Sequence, residues 1–328
     1  MSHSNTSLNC FANCQSRYKL NYIDHVKVDI DNPHFRFGTM AHDVLYKAGK
    51  LRDEGESSFD PVIPSEVVNI DLKNYFNIKS WTKYFHRVIQ KIAQYENECM
   101  DEVLSFDPEC KIEREVRFQM TPDDLKNIGV YGITQPLVGI IDCLLYNDQA
   151  AVIIDYKFSS ERKGIDVIDQ NSQLMLYAFF VHHIYKVPLR NIKVGYIDVP
   201  KEDPGQPALL TNGTLSRAKN QNCTQELYEK AVIAVHGPDD PKYNCKPGGH
   251  YYEAWCNMAC NQVAYMTMVW LDTEAYNCIV DDLLKTAQFI DLMTEQKLPF
   301  LRKYDSYSCK NCEYLQHCKP WLTVGGFE

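Results

Sequence analysis

Three residues in one short stretch could share a metal ion and a phosphate: Asp142, Asp155 and Lys157, within VGIIDCLLYNDQAAVIIDYKFSS at residues 138–160. Two apolar runs flank Asn147-Asp148-Gln149, and each run carries one acid. Successive strand residues face opposite sides, so Asp155 and Lys157 project together while Tyr156 points away. If the runs pair through that turn, Asp142 approaches the same face. Two carboxylates converging at the end of buried strands repel unless a cation joins them. A hard divalent ion with oxygen ligands, Mg²⁺ or Mn²⁺, is the natural occupant. A lysine beside it can orient an attacking water or stabilise charge on a phosphoryl oxygen, which suits phosphodiester hydrolysis. The same Asp-x-Lys spacing also arises in a solvated surface hairpin, so the rest of the chain has to decide.

The elements that must position these groups can be read coarsely. Residues 1–50 read as two helical pieces, the second running through GTMAHDVLYKAG and closing near Gly49. Residues 51–64 are polar and punctuated by Pro61 and Pro64, a loop pattern. Spaced apolar residues predict an amphipathic helix within 65–100. KIEREVRFQM alternates as a strand and leads into the quoted hairpin. A helix is expected over 166–185, then the strand NIKVGYIDVP, a turn-rich segment at 201–221, and mostly helix over 225–297, broken by HGPDDPKYNCKPGGH. By strand alternation Glu113 and Glu115 share a face and could add an outer-shell carboxylate. There is no internal repeat. The economical reading is one mixed α/β domain with helical additions.

Bulk composition narrows the function classes. The chain has 328 residues, 45% hydrophobic and 23% charged, as in ordinary globular proteins. A net charge of -9 argues against a protein that coats DNA, while leaving room for an enzyme with a local groove. The N-terminal stretch has no apolar run of signal-peptide length, and LMLYAFFVHHIYKV is too short to span a bilayer. A cytoplasmic location with no membrane contact is therefore expected, and the 13 cysteines read as reduced thiols. Cys309, Cys312 and Cys318 cluster as metal ligands for zinc or an iron–sulfur centre. A fourth ligand could come from Cys278 or from LNCFANCQSRYKL near the start. Cys245, Cys256 and Cys260, with His250, either form a second metal site or are buried small apolar residues. No phosphate-binding P-loop sequence is present, so an unwinding motor would have to be a separate helicase.

GIID, a short turn and IIDYK together resemble the core of the PD-(D/E)XK nuclease superfamily, in its RecB-like branch. That branch also has a histidine on an N-terminal helix, in a context like GTMAH, and a Gln-x-x-x-Tyr helix after the lysine strand, matched in QNSQLMLY. The resemblance implies a restriction-endonuclease-like mixed central sheet flanked by helices. It implies His42, Asp142, Asp155 and the Tyr156 carbonyl as metal ligands. Lys157 would be the catalytic lysine, with Gln173 and Tyr177 lining the substrate groove. A subset similar to AddB nuclease domains and CRISPR-associated RecB-like exonucleases carries one cysteine before the core and three after it, around a 4Fe-4S cluster. On that pattern Cys14 joins Cys309, Cys312 and Cys318, chosen over Cys10 because Arg17 and Tyr18 follow it; Gln15 departs from the usual proline.

The implied layout is one domain. Its core covers about 30–50 and 110–200, with helical additions at 51–109 and 225–297 and a cluster clasping 10–20 to 305–320. The implied activity is a metal-dependent DNA exonuclease acting on ends or single strands, in recombination, repair or genome processing, with a helicase or recombination protein as possible partner. A silent DNA-binding adaptor and a restriction-type endonuclease are the alternatives. Arg17, Arg217 and Lys219 are the candidate DNA contacts.

Overall fold

Five strands form one mixed sheet in the order β1 (Lys111–Met120), β2 (Leu137–Tyr146), β3 (Ala151–Ser159), β4 (Ile192–Pro200) and β5 (Tyr265–Trp270). The computed structural model describes residues 1–28, 33–55, 81–159, 165–168, 170–200, 204–303 and 306–318. β1–β2 and β2–β3 pair antiparallel, β3 and β4 are parallel, and β5 closes the edge antiparallel to β4. Parallel pairing of β3 with β4 requires a crossover, and the helix Ser172–Tyr185 supplies it.

The β2–β3 turn is built by Asn147. Its side-chain oxygen accepts from the amides of Gln149 (2.9 Å) and Ala150 (2.8 Å), and its Nδ2 donates to the carbonyls of Val103 (3.0 Å) and Glu109 (3.1 Å). A buried amide with every group satisfied thus fixes the hairpin register.

The helices, numbered along the chain, are α1 (Asn5–Asn13), α2 (Gln15–Tyr18), α3 (Pro33–Asp53), α4 (Trp81–Leu104), α5 (Pro122–Asn127), α6 (Ile165–Ile168), α7 (Ser172–Tyr185), α8 (Gln225–His236), α9 (Tyr252–Asn257), α10 (Thr273–Glu295), α11 (Ser306–Lys310) and α12 (Leu315–Cys318). α1, α7 and α10 pack on one face of the sheet, over Phe118, Leu144, Ile153 and Val194. α3 and α4 cover the other, over Cys143, Leu145, Ile154 and Tyr156. Among the described residues no helix is long and apolar enough to cross a membrane.

Several elements differ from the sequence expectation. The helix expected over 166–185 is two, because Asn171 accepts from the amides of Gln173 and Leu174 and starts a new helix. β5 replaces part of a stretch read as helix; YMTMVW alternates, but six residues between helices give a weak periodic signal. The loop expected over 51–64 and the helix start near 65 lie mostly outside the described residues. α3 does not close at Gly49 but continues to Asp53. A Cβ at Gly49 would come within 2.4–2.6 Å of the Arg114 guanidinium, so the glycine makes room for a charged group crossing the helix.

A satellite core of Leu215, Cys223, Tyr228, Cys245, Tyr251 and Met258 lies apart from the sheet. Cys245 is buried there, its thiol pushed up to about 11 by burial, whereas Cys256 is exposed. Cys245 thus packs as a small apolar residue; the side chain of Cys260 lies outside the described residues.

Candidate active site

The site forms where the ladder opens. β2 and β3 pair from Tyr146↔Ala151 to Cys143↔Ile154 and no further. At the next position the Asp142 side chain takes over from the strand, its Oδ2 accepting the Tyr156 amide at 2.7 Å. On the other side, β1–β2 pairing skips Glu115 and Asp142 between Arg114↔Cys143 and Val116↔Ile141. Glu115 adopts φ +50°, a left-handed conformation uncommon for a side-chain-bearing residue. Both strands exchange faces there. Arg114 reaches Glu96 of α4, yet Phe118, of the same parity, stacks on Phe180 of α7 at 5.5 Å. Cys143 lies in the α3–α4 core and Ile141 in the α7 core. Glu113 and Glu115 therefore do not share a surface: Glu113 accepts from the hydroxyls of Tyr146 (2.5 Å) and Tyr185 (3.1 Å), while Glu115 turns toward α3.

His42, Glu115 and Asp142 each offer a ligand atom, all within 4.8 Å of one another, the sole such group among the described residues. His42 Nδ1 stands 3.5 Å from Asp142 Oδ1, and its ring meets Phe158 edge-on at 5.2 Å, so β3 also orients the imidazole. Burial, then the Lys157 charge, pulls His42 down to about 4, leaving a neutral imidazole at physiological pH. Burial and the neighbouring Asp155 push the Asp142 carboxyl well above the usual range. Glu115 is also raised, chiefly by burial. A neutral imidazole and two carboxyls costly to ionise together form a donor set that a divalent cation satisfies.

Asp155 stands beside this group rather than in it. Its buried Oδ2 lies 2.6 Å from Lys157 Nζ, an ion-pair contact. Burial raises its pKa and Lys157 opposes the rise; Asp198, the register partner of Lys157 on β4, adds to it. Lys157 donates to Gln173 Oε1 (3.0 Å), and Gln173 Nε2 donates to the Tyr177 hydroxyl (2.7 Å). The helix turn separating Gln173 from Tyr177 thus serves to aim the lysine.

Behind the strands lies a network that the sequence did not disclose. Arg114 donates to Asp53 (2.8 and 3.1 Å) and to Glu96 (3.0 and 2.8 Å), and the Tyr156 hydroxyl donates to Glu96 as well. Tyr156 points away from Asp155, as expected, and ties β3 to α4 through Glu96. No spacing signal could have paired residues this distant in sequence.

The remaining expected site residues lie elsewhere. Arg17 is paired with Glu313 (3.0 and 2.5 Å), and Lys219 approaches Glu253 at 3.5 Å. Neither they nor Arg217 line the hollow over the His42–Glu115–Asp142 group; Arg117 does. Cys14, Cys309, Cys312 and Cys318 are all half-buried, and α2 is fastened to the segment before the tail by Ser16 N donating to Leu301 O (3.1 Å) and Leu301 N to Gln15 Oε1 (2.9 Å). Burial raises the Cys318 thiol, and Cys312, Cys14 and Cys309 add to the rise while Arg302 opposes it. Cys10 lies near the same group, its thiol raised to about 11 by burial.

The family model of the PD-(D/E)XK nuclease superfamily matches residues 2–264. The chain belongs to that superfamily. Its members use divalent metal ions, and the His42–Glu115–Asp142 group of this nuclease-superfamily chain fits one. No curated protein matches the chain. Among solved structures, it is similar to a candidate exonuclease from Eubacterium rectale, at 10% identity and a TM-score of 0.45, covering 99% of this chain and 94% of that one. It is also similar to SSO0001, at 13% identity and a TM-score of 0.26, covering 85% and 96%.

Proposed function

We propose that the chain is a divalent-metal-dependent deoxyribonuclease of the RecB-like branch, acting as an exonuclease on DNA ends or single strands. The observation that carries this reading is the convergence of His42, Glu115 and Asp142 beside the Asp155–Lys157–Gln173 chain. His42, Asp142, Glu115 and, on local side-chain rotation, Asp155 would hold Mg²⁺ or Mn²⁺, with the Tyr156 carbonyl as a further oxygen. When bound, the ion supplies positive charge to the phosphodiester and a water that ionises near neutral pH. Lys157, held by Gln173, orients the attacking water and then stabilises charge on the non-bridging oxygens. The water oxygen bonds to phosphorus, the bond to the departing sugar oxygen breaks, the nucleophile's proton passes to solvent, and the departing oxygen takes up a proton from solvent to leave as a hydroxyl. Lys157 is 30% exposed at its side chain and so faces both strand and solvent.

A second part of the proposal concerns Cys14, Cys309, Cys312 and Cys318, which would hold a 4Fe-4S cluster of structural role. Supporting it are four half-buried thiols gathered from both ends of the chain. A brown preparation absorbing near 400 nm, with iron and sulfide in matching amounts, is the expected result; zinc alone would overturn it.

The activity is tested with anaerobically purified protein on end-labelled single- and double-stranded DNA, with Mg²⁺ or Mn²⁺, with EDTA, and with Asp155→Ala. Metal-dependent shortening from an end that the substitution abolishes is the expected outcome. Cleavage of circular strands would point to an endonuclease. Binding without cleavage would point to an adaptor or to an enzyme that needs its helicase.

A further inference from the structure

Beside the hollow of the metal-binding group lies a second cleft of about 530 Å³, and the two share Arg117 and Ile140, partners across β1 and β2. The cleft has three walls. β1–β2 provides Arg117, Gln119, Val138 and Gly139; α7 provides Gln173 and Tyr177, the groups that aim Lys157; the first turn of α1 provides Ser4, Asn5 and Thr6. The third wall is firmly held. His3 N donates to Pro136 O and Val138 N to His3 O, both at 2.8 Å, and buried His3 Nε2 meets Asp291 Oδ1 at 2.9 Å. Asn5 Oδ1 also accepts from Ser172 Oγ (2.8 Å) at the start of α7.

We propose that this cleft seats the nucleotide adjoining the scissile phosphate, and that Arg117 holds that nucleotide's phosphodiester. The inference rests on the nuclease reading above and adds a binding site to it. The volume falls within the roughly 300–1,000 Å³ of ordinary ligand pockets and suits one nucleotide unit. Val138 and Leu176 offer an apolar floor for sugar and base, and Asn5, Gln119 and Gln173 offer hydrogen bonds at the rim. Arg117 is exposed and stands at the junction between this floor and the metal-binding group, where a strand leaving the scissile phosphate must pass. A guanidinium there grips phosphate oxygens in two places at once.

The test uses the full chain with Ca²⁺ in place of Mg²⁺ and a short fluorescein-labelled single strand, followed by anisotropy across a salt series. Arg117→Ala should weaken binding at least tenfold and reduce the slope of log affinity against log salt by about 0.7, one phosphate contact on a single strand. Arg117→Lys should restore the slope. Gln119→Trp, which fills the cleft from an exposed strand position, should weaken binding without altering the slope. In Mg²⁺ both losses should fall on KM more than on kcat, and Mn²⁺ affinity should match wild type. An unchanged slope in Arg117→Ala, or lost Mn²⁺ affinity accounting for the defect, overturns the role of Arg117; wild-type binding by Gln119→Trp overturns the cleft. Wild-type protein that neither binds nor cleaves DNA overturns the nuclease reading itself, whereas wild-type cleavage with both variants unaffected overturns this inference alone.

Discussion

Glu115 carries a conformational cost that its neighbours impose. A non-glycine residue at φ +50° costs on the order of 1–3 kcal/mol and persists only where its surroundings over-determine it. Here Arg114 is locked on one face and Phe118 on the other, so the chain must switch between them at Glu115. Glu115→Gly removes the Cβ penalty together with the carboxylate. Stability to urea should hold or rise, while Mn²⁺ affinity measured by calorimetry falls by about tenfold or more. A variant that binds Mn²⁺ like wild type would remove Glu115 from the metal centre. Lys157→Ala should leave DNA binding in Ca²⁺ within about twofold and lower kcat at least about a hundredfold, the scale of losing one electrostatic stabiliser.

At the scale of elements, two buried charges fasten helices to the sheet. Gly49 admits the Arg114 guanidinium across α3, and Arg114 has little freedom to move because Asp53 and Glu96 hold it from both sides. Gly49→Ala therefore overpacks a helix where alanine would ordinarily help, and should destabilise by about 1–3 kcal/mol in urea unfolding. A neutral or stabilising result would mean that the guanidinium can yield. Asp291 of α10 fastens the start of the chain, meeting His3 and accepting from the amides of Thr134 (2.6 Å) and Gln135 (3.2 Å). Burial by itself raises this carboxyl, but the His3 hydrogen bond and the two amides outweigh it, and its pKa lies below the ordinary range. A folded pKa below the unfolded one gives stability that is present above the ordinary carboxylate pKa and fades as pH falls through the folded value. Asp291→Asn should cost about 1.5–3 kcal/mol at neutral pH, and the gap to wild type should narrow only in strongly acidic solution. A gap independent of pH would show that packing, not charge, sets the effect.

Across the whole molecule, α2 and the tail meet where Arg17 and Glu313 pair. If a cluster joins Cys14 to Cys309, it closes nearly the full chain, and loop closure alone is worth up to about 5 kcal/mol. Cys318→Ala should therefore lose the absorbance near 400 nm and lower the midpoint of thermal unfolding by several degrees. Mn²⁺ binding at the separate His42–Glu115–Asp142 group should persist while the protein is folded. Unchanged colour and midpoint would exclude Cys318 as a ligand.

Much of this was legible in the chain. Local spacing fixes which side chains share a strand face or a helix turn, so Asp155 with Lys157, Gln173 with Tyr177, and β1 to β4 could be read directly. The motifs also pointed to the superfamily. Tertiary structure decided what depends on residues far apart in sequence. It brought Glu115 to His42 by a change of strand face that alternation cannot foresee, since the cause is packing on two opposite faces. It likewise carried α3 through Gly49 to accommodate Arg114, paired Arg17 with the tail, and left Arg117 at the mouth of the cleft. A charge's role follows from which partner reaches it first, and only the folded chain sets that distance.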